Sequence, residues 1–104
     1  MVKIYRNEDV EEIVMAIPRG HYHVRGMLKL RDQVIVLQEA TLAAIARAYL
    51  SIILHPTRRG VILKRKHLSR NGRKPGYAEY QLIEVPNSEE EAVKIIDEVL
   101  SDST

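Results

Sequence analysis

Residues 40–54 form a run of 15 residues that is rich in alanine and contains neither glycine nor proline. This composition predicts a helix that is apolar almost all round, with Arg47 as its one charged residue. The large apolar residues that share one face of this helix are Leu42, Ile45, Tyr49, Ile52 and Ile53. A helix of this kind has to be covered on more than one side. We therefore expect it to lie either between two layers of the fold or at a subunit interface.

The chain has 104 residues, which is the size of one domain with a single core, so residues 1–104 are treated as one domain. Such a chain has few elements to cover a second face of the apolar helix, and this favours a homodimer. A helix of this length with a charge inside it is too short to span a membrane. The first residues lack the basic and then apolar layout of a signal peptide. We accordingly expect a cytoplasmic protein that has no membrane partner.

Ahead of the apolar helix, the sequence predicts one further helix and three strands. Residues 8–17 have the pattern of a helix because four branched apolar residues recur there at helical spacing. Those four residues are Val10, Ile13, Val14 and Ile17. Residues 2–5, 21–30 and 34–37 have the composition of strands, and the last two of these segments are expected to pair as a hairpin.

After the apolar helix, the sequence predicts a long β-hairpin and a last helix. The hairpin has strands at residues 61–68 and 77–85, and residues 69–76 between them contain an Asn-Gly and a Pro-Gly turn signal. Ser88, with Glu91 three residues later, predicts a capping box at the start of the last helix. The predicted fold class is therefore a small α/β or α+β domain. In it, helices pack on a mixed sheet and a basic β-hairpin extends from it.

The charges are distributed unevenly along the chain, although the net charge is only +2. Residues 55–76 carry eight basic residues and no acidic one, whereas residues 77–104 carry one basic and eight acidic residues. The eight basic residues are Arg58, Arg59, Lys64, Arg65, Lys66, Arg70, Arg73 and Lys74. A block of this kind is typical of a surface that binds an anionic partner.

Part of this basic block lies on a predicted strand, where alternate side chains point to opposite faces. Lys64 and Lys66 are expected on one face, and Arg65 and His67 on the other. Four polar residues in a row indicate that this part of the hairpin projects beyond the core as an arm. A basic arm can enter a groove of a duplex or neutralise phosphates. We therefore predict that the chain binds nucleic acid, DNA or RNA, largely without regard to sequence and in a salt-dependent manner.

Other kinds of chemistry have little support in the sequence. The absence of cysteine excludes disulfides, cysteine-ligated metals and thiol nucleophiles. His21 and His23 have a spacing that metal sites can use, but nothing in the sequence fixes a third ligand, so no metal and no cofactor are predicted. The glycines are scattered and form no phosphate-binding loop, and no catalytic constellation is apparent. We therefore predict that the chain is not an enzyme.

The aromatic residues, five tyrosines, give little indication of base stacking. Tyr77 and Tyr80 lie on opposite faces of the second hairpin strand, so at most one of them could be an exposed stacking platform. Tyr80 alternates with Ala78 and Leu82, which predicts a position in the core.

Several segments from Val34 onward share a pattern with a known family. They are a β-branched strand at residues 34–37, the alanine-rich helix around residues 44–48, the Asn-Gly-Arg hairpin tip at residues 71–73 and a strand at residues 79–85. In these segments the chain resembles the Alba-type archaeal DNA- and RNA-binding proteins. The resemblance implies a homodimer whose extended hairpin reaches along the minor groove. The residues that would match the hairpin's role are Arg70, Arg73 and Lys74.

A second class of function remains open at this point. The apolar helix and the acidic last helix could instead mediate self-association or binding to a basic partner. The chain would then be a protein-interaction or assembly module with no nucleic-acid ligand.

Overall fold

The computed structural model describes residues 2–69, 71 and 78–102. A short 3-10 turn at Asn7–Asp9 precedes the regular elements. These elements are β1 (Val10–Ala16), β2 (Arg25–Leu30), β3 (Val34–Gln38), α1 (Glu39–Ile53), β4 (Leu63–His67), β5 (Tyr80–Glu84) and α2 (Glu89–Asp102). The α+β class is confirmed. In place of one mixed sheet, the strands form two antiparallel sheets, β1-β2-β3 and β4-β5, because each strand pairs with its neighbour in sequence.

The predicted helix over residues 8–17 is wrong, because most of this segment is strand β1. β1 pairs with β2, so that Ile13 lies opposite Leu28 and Met15 lies opposite Gly26. The β-branched residues that recur at helical spacing also suit a strand, and the neighbouring strand supplies backbone partners along their length. Tertiary pairing therefore overrides the local helical pattern here.

The amino-terminal segment before β1 is held by polar contacts, and the short strand predicted at residues 2–5 is absent. Asp32, in the turn between β2 and β3, accepts hydrogen bonds of 2.8 Å from the Lys3 ammonium and from the Tyr5 hydroxyl. These two donors lower the pKa of the Asp32 carboxyl. The guanidinium of Arg31 lies 4.6 Å from the centre of the Tyr5 ring. One turn of the sheet therefore anchors the start of the chain.

Helix α1, predicted at residues 40–54, is confirmed, and it packs on β2, β3 and β5. Gly26 of β2 is buried because Leu42 of α1 lies directly over it. A Cβ atom added at Gly26 would come within 2.9 Å of Leu42 Cδ2. Ala44 of α1 is completely buried. The missing side chain at Gly26 therefore lets Leu42 pack directly on the sheet, and Ala44 belongs to the core.

Helix α2 is attached to the segment that leads into β4. The buried Ser88 hydroxyl accepts a hydrogen bond of 3.0 Å from the backbone N–H of Ile62. The Glu89 carboxylate accepts one of 2.8 Å from the N–H of Arg59. Gly60 is buried against α2, where an added Cβ would lie 2.9 Å from Ala92 Cβ and 3.0 Å from the Glu89 carbonyl oxygen. The first turn of α2 and residues 59–62 thus form one tightly packed junction.

We predict that Gly60→Ala destabilises the protein by about 1–3 kcal/mol, because the added methyl overpacks the junction against backbone and a short side chain. Gly26→Ala is the matched control, and its cost is expected to be smaller because the end of the Leu42 side chain can rotate away. Urea unfolding followed by circular dichroism, at one fixed protein concentration, measures both changes. Equal stability of Gly60→Ala and the wild type would contradict this account of the junction.

Candidate nucleic-acid interface

The basic strand β4 pairs along its whole length with β5. The cross-strand partners are Leu63 with Glu84, Lys64 with Ile83, Arg65 with Leu82, Lys66 with Gln81 and His67 with Tyr80. Directly opposite residues point to the same face of a sheet. One face of the hairpin therefore carries Lys64 and Lys66, and the other carries Arg65, His67 and Tyr80. This confirms the alternation that the sequence predicts.

Every residue from Lys64 to His67 is exposed. Among the residues that the structure describes, neither Lys64 nor Lys66 has an ion-pair partner. Two adjacent ammonium groups on one face of the hairpin therefore keep their full charge toward solvent, which is the condition for attracting an anionic ligand.

The opposite face of the hairpin carries an aromatic ring between two nitrogen-bearing side chains. The Tyr80 and His67 rings are 5.0 Å apart between centroids and tilted by 57°. The Arg65 guanidinium carbon lies 5.7 Å from the Tyr80 centroid, within the range of a cation–π interaction. Tyr80 is 56 % exposed. The prediction that Tyr80 belongs to the core is therefore wrong.

The physical reason is that α1 does not close over the start of β5. An open cleft lies between the first turns of α1, at Ala40 and Ala43, and the residues two before and two after Tyr80, which are Ala78 and Leu82. Alternation along a strand identifies the face on which a residue lies, but not whether a helix closes over that face. The position of Tyr80 opposite His67, on a strand of consecutive basic residues, is the signal in the sequence that could have identified an exposed ring.

The two faces also contain acidic side chains that limit the basic surface. His67 Nε2 lies 2.6 Å from the Glu79 carboxylate. At the base of the hairpin, Arg58 forms an ion pair with Glu84. The charge of Arg58 is therefore compensated within the chain, and its contribution is to fix the hairpin. Arg59 lies instead beside a groove of about 390 Å³ between α1 and α2, which Tyr49 and Ile96 also line.

Three of the predicted nucleic-acid-binding residues, Arg70, Arg73 and Lys74, lie outside the described residues, and so does Tyr77. Their role at the hairpin tip stays a prediction. Of the eight basic residues singled out from the sequence, the structure brings Lys64, Arg65 and Lys66 together on one exposed strand.

Two further arginines line a cleft of about 540 Å³ between the start of α1 and the start of β5. They are Arg25 and Arg47, and the cleft wall also contains His23, Gln38 and Gln81. These residues are far apart in sequence, so no local pattern connects them. The cleft is large enough for a small molecule, but its lining mixes both signs of charge because Glu39 also belongs to it.

The two histidines considered as metal ligands lie in the loop before β2. His23 Nδ1 is 3.4 Å from one oxygen of the Glu39 carboxylate, and the other oxygen accepts a hydrogen bond of 2.6 Å from the N–H of Val24. Within the described ranges, no group of three histidine, aspartate or glutamate residues could hold a metal ion. The Glu39 carboxylate instead joins the start of α1 to this loop.

Comparisons with protein-family models, with curated proteins and with solved structures found no match to this chain. The Alba-type resemblance therefore stays a prediction. In the described parts of the chain, no helix combines the length and the apolar character needed to cross a bilayer.

We predict that Glu39 makes stability fall in acid. The hydrogen bond from the Val24 N–H, and then the contact with the His23 ring, lower the pKa of Glu39 below its ordinary value of 4.5. The stabilisation by ionised Glu39 is therefore complete above its unfolded-state pKa and is lost as the pH falls through the lower folded-state pKa. In urea unfolding, Glu39→Gln should be less stable than the wild type at pH 7, and the difference should shrink toward pH 3. The exposed Glu12→Gln is the control, and a difference for Glu39→Gln that does not vary with pH would contradict this prediction.

Proposed function

We propose that this chain is a small homodimeric protein that binds nucleic acid, DNA or RNA, largely independently of sequence. The binding site would be the basic hairpin surface, defined as Lys64, Arg65, Lys66, His67 and Tyr80. The observation that carries this proposal is the presence of exposed cations on both faces of a two-stranded hairpin, with Lys64 and Lys66 unpaired among the described residues.

The lysine face suits a phosphate backbone. Lys64 and Lys66 are two residues apart on a strand and are therefore separated by about 7 Å along it. Each lysine that neutralises a phosphate releases condensed counterions, and this release makes the affinity depend on salt. A lysine ammonium is a compact point charge on a flexible stem, so contacts of this kind carry no base preference.

The Tyr80 face suits a nucleobase. An exposed aromatic ring next to a guanidinium is a stacking platform that accepts any base, because every base has a π face. Bases are available for stacking only where they are unpaired. The two faces together therefore support binding to nucleic acid that contains single-stranded segments, with the lysines on the backbone and Tyr80 on a base.

The homodimer is supported by the small core of the described chain. Its buried apolar residues are Leu30, Ala44 and Ala92 alone, whereas Tyr49 on α1 is 62 % exposed. Several large apolar side chains exposed side by side on one helix are typical of an interaction site. The same observation favours the alternative function, an assembly module without a nucleic-acid ligand. The two functions differ in their response to salt, because only phosphate binding predicts an affinity for oligonucleotides that falls steeply with ionic strength.

We predict that Lys64→Gln/Lys66→Gln weakens binding to both single-stranded and duplex oligonucleotides at low salt. The slope of log affinity against log salt should become shallower by about 1.5 to 2, because two phosphate contacts are lost. Fluorescence anisotropy with labelled 20-nucleotide probes, titrated at several salt concentrations, measures both quantities. Arg19→Gln/Lys94→Gln removes two exposed charges elsewhere and is the matched control. Unchanged affinity and slope in the hairpin variant would refute the proposed site.

We predict that Tyr80→Leu selectively weakens binding to single-stranded probes. The loss of one stacked base costs about 1–3 kcal/mol, whereas duplex binding should change little because paired bases do not reach the ring. Tyr80→Phe should retain the affinity, because it keeps the aromatic face. Tyr22→Leu, which removes a tyrosine that is 90 % exposed outside the hairpin, is the control. Equal effects of Tyr80→Leu and Tyr22→Leu would argue against stacking, while the lysine contacts could still stand.

A further inference from the structure

The face of the three-stranded sheet on which α1 packs is only partly covered. The register places Ile13 and Met15 of β1 opposite Leu28 and Gly26 of β2, so all four side-chain positions lie on the same face. This is the face on which α1 packs, because Leu42 of α1 lies over Gly26. A wider layer on this face would therefore cover Ile13 and Met15 as well.

Helix α1 covers β2 and β3 but not β1. Leu30 of β2 is buried, whereas Ile13 is 59 % and Met15 is 55 % exposed. A helix is about 10 Å wide and neighbouring strands are about 4.8 Å apart, so one helix covers about two strands. A sheet of three strands leaves the third without cover. An apolar gap as wide as one strand therefore lies beside α1 on this face.

Helix α1 also has an uncovered apolar surface of its own. The exposed α1 stripe consists of Ile45, Tyr49, Leu50 and Ile53 of the helix, together with Leu54 directly after it. Ile45, Tyr49 and Ile53 recur every four residues and so form one continuous ridge along the helix. The chain therefore has two uncovered apolar surfaces, one over β1 and one along α1.

We propose that a second copy of this chain fills the gap, with the exposed α1 stripes of the two copies packed against each other and each α1 lying beside the partner's β1. The inference rests on the homodimer of the proposed function, but not on nucleic-acid binding. A two-fold axis through the stripe places the same surface on both copies, so one contact covers both helices and both β1 strands. In a head-to-tail contact, one copy would keep its α1 stripe exposed and the other would keep the gap over its β1 exposed.

The surface area of the single chain agrees with this arrangement. The chain exposes 8831 Å², whereas a compact monomer of 11.9 kDa exposes about 5,900 Å². A stable interface of standard size removes about 800 Å² from each partner. The excess is therefore sufficient to supply a dimer interface of standard size or larger.

The helix α2 of the same chain is not available to cover β1. Its first turn is fixed to residues 59–62 by Ser88 and Glu89, and Gly60 packs directly against Ala92. This junction precedes β4 in the chain and belongs to the second sheet. Of the two helices that a second copy can offer, α1 has the larger exposed apolar surface, whereas α2 exposes Ile95, Ile96 and Leu100 on a helix that contains six acidic residues.

Disulfide cross-linking tests the interface directly, because the chain contains no cysteine. Tyr49 is at the middle of the stripe, so it meets its own copy whether the paired helices run parallel or antiparallel. We expect oxidised Tyr49→Cys to form a cross-linked dimer in high yield, since facing helices bring such positions within disulfide range. Mixed Ile45→Cys and Ile53→Cys should cross-link to each other if the helices are antiparallel, and each to itself if they are parallel. Met15→Cys should cross-link to at least one of these α1 variants.

Two control variants and one solution measurement keep the outcomes separate. Tyr22 is 90 % exposed and lies off the stripe. The yield of cross-linked Tyr22→Cys therefore reports random collision, and it should be at least tenfold lower than the yield of Tyr49→Cys. Cross-linking through Ile96→Cys on α2, without any through Tyr49→Cys, would overturn this interface but leave the homodimer standing. Sedimentation of the unmodified chain as a monomer at 100 µM would overturn both. Oligonucleotide binding is measured separately, so neither result decides the nucleic-acid proposal.

Discussion

The structure depends on the requirement that an almost uniformly apolar helix be covered. α1 satisfies it by lying between the two sheets, with β2 and β3 on one side and β5 on another. Gly26 and Ala44 make this possible, because neither has a side chain that would hold the layers apart. The helix is covered on only part of its circumference, because Ala44 is fully buried whereas the next residue, Ile45, is exposed. The boundary between core and surface therefore runs along the helix.

The basic charges lie on the strand next to the one that this helix contacts. α1 packs on β5, whereas the exposed basic residues lie on the partner strand β4. Acidic residues are used at the base, where Glu84 pairs with Arg58 and Glu89 binds the backbone of Arg59. Acidic partners therefore occur at the base of the hairpin, and again further out, where Glu79 lies against His67. The uncompensated Lys64 and Lys66 lie between these two places.

Elements that depend on a local pattern could be predicted from the sequence, and those that depend on distant neighbours could not. The helices at residues 39–53 and 89–102 and the basic hairpin follow from periodicity, breakers and turn signals. The strand β1 was not predictable in this way, because Val10, Ile13 and Val14 fit a helix equally well until β2 lies beside them. Within the candidate site, the alternation of Lys64 and Arg65 was predictable. The exposure of Tyr80 was not, since it depends on how closely the start of α1 packs on β5.

The meander β1-β2-β3 has a consequence for how the chain folds. Each of its strands pairs with the next one in sequence, and the turn at Arg31 and Asp32 joins β2 to β3 with a hydrogen bond from Leu30 to Gln33. Contacts between residues close in sequence have a low entropic cost of loop closure, so this sheet can form early and quickly. Docking of α1 and of the second sheet then brings together parts that are further apart along the chain. The three-stranded sheet is therefore the part of the fold that can form before α1 and the basic hairpin have docked.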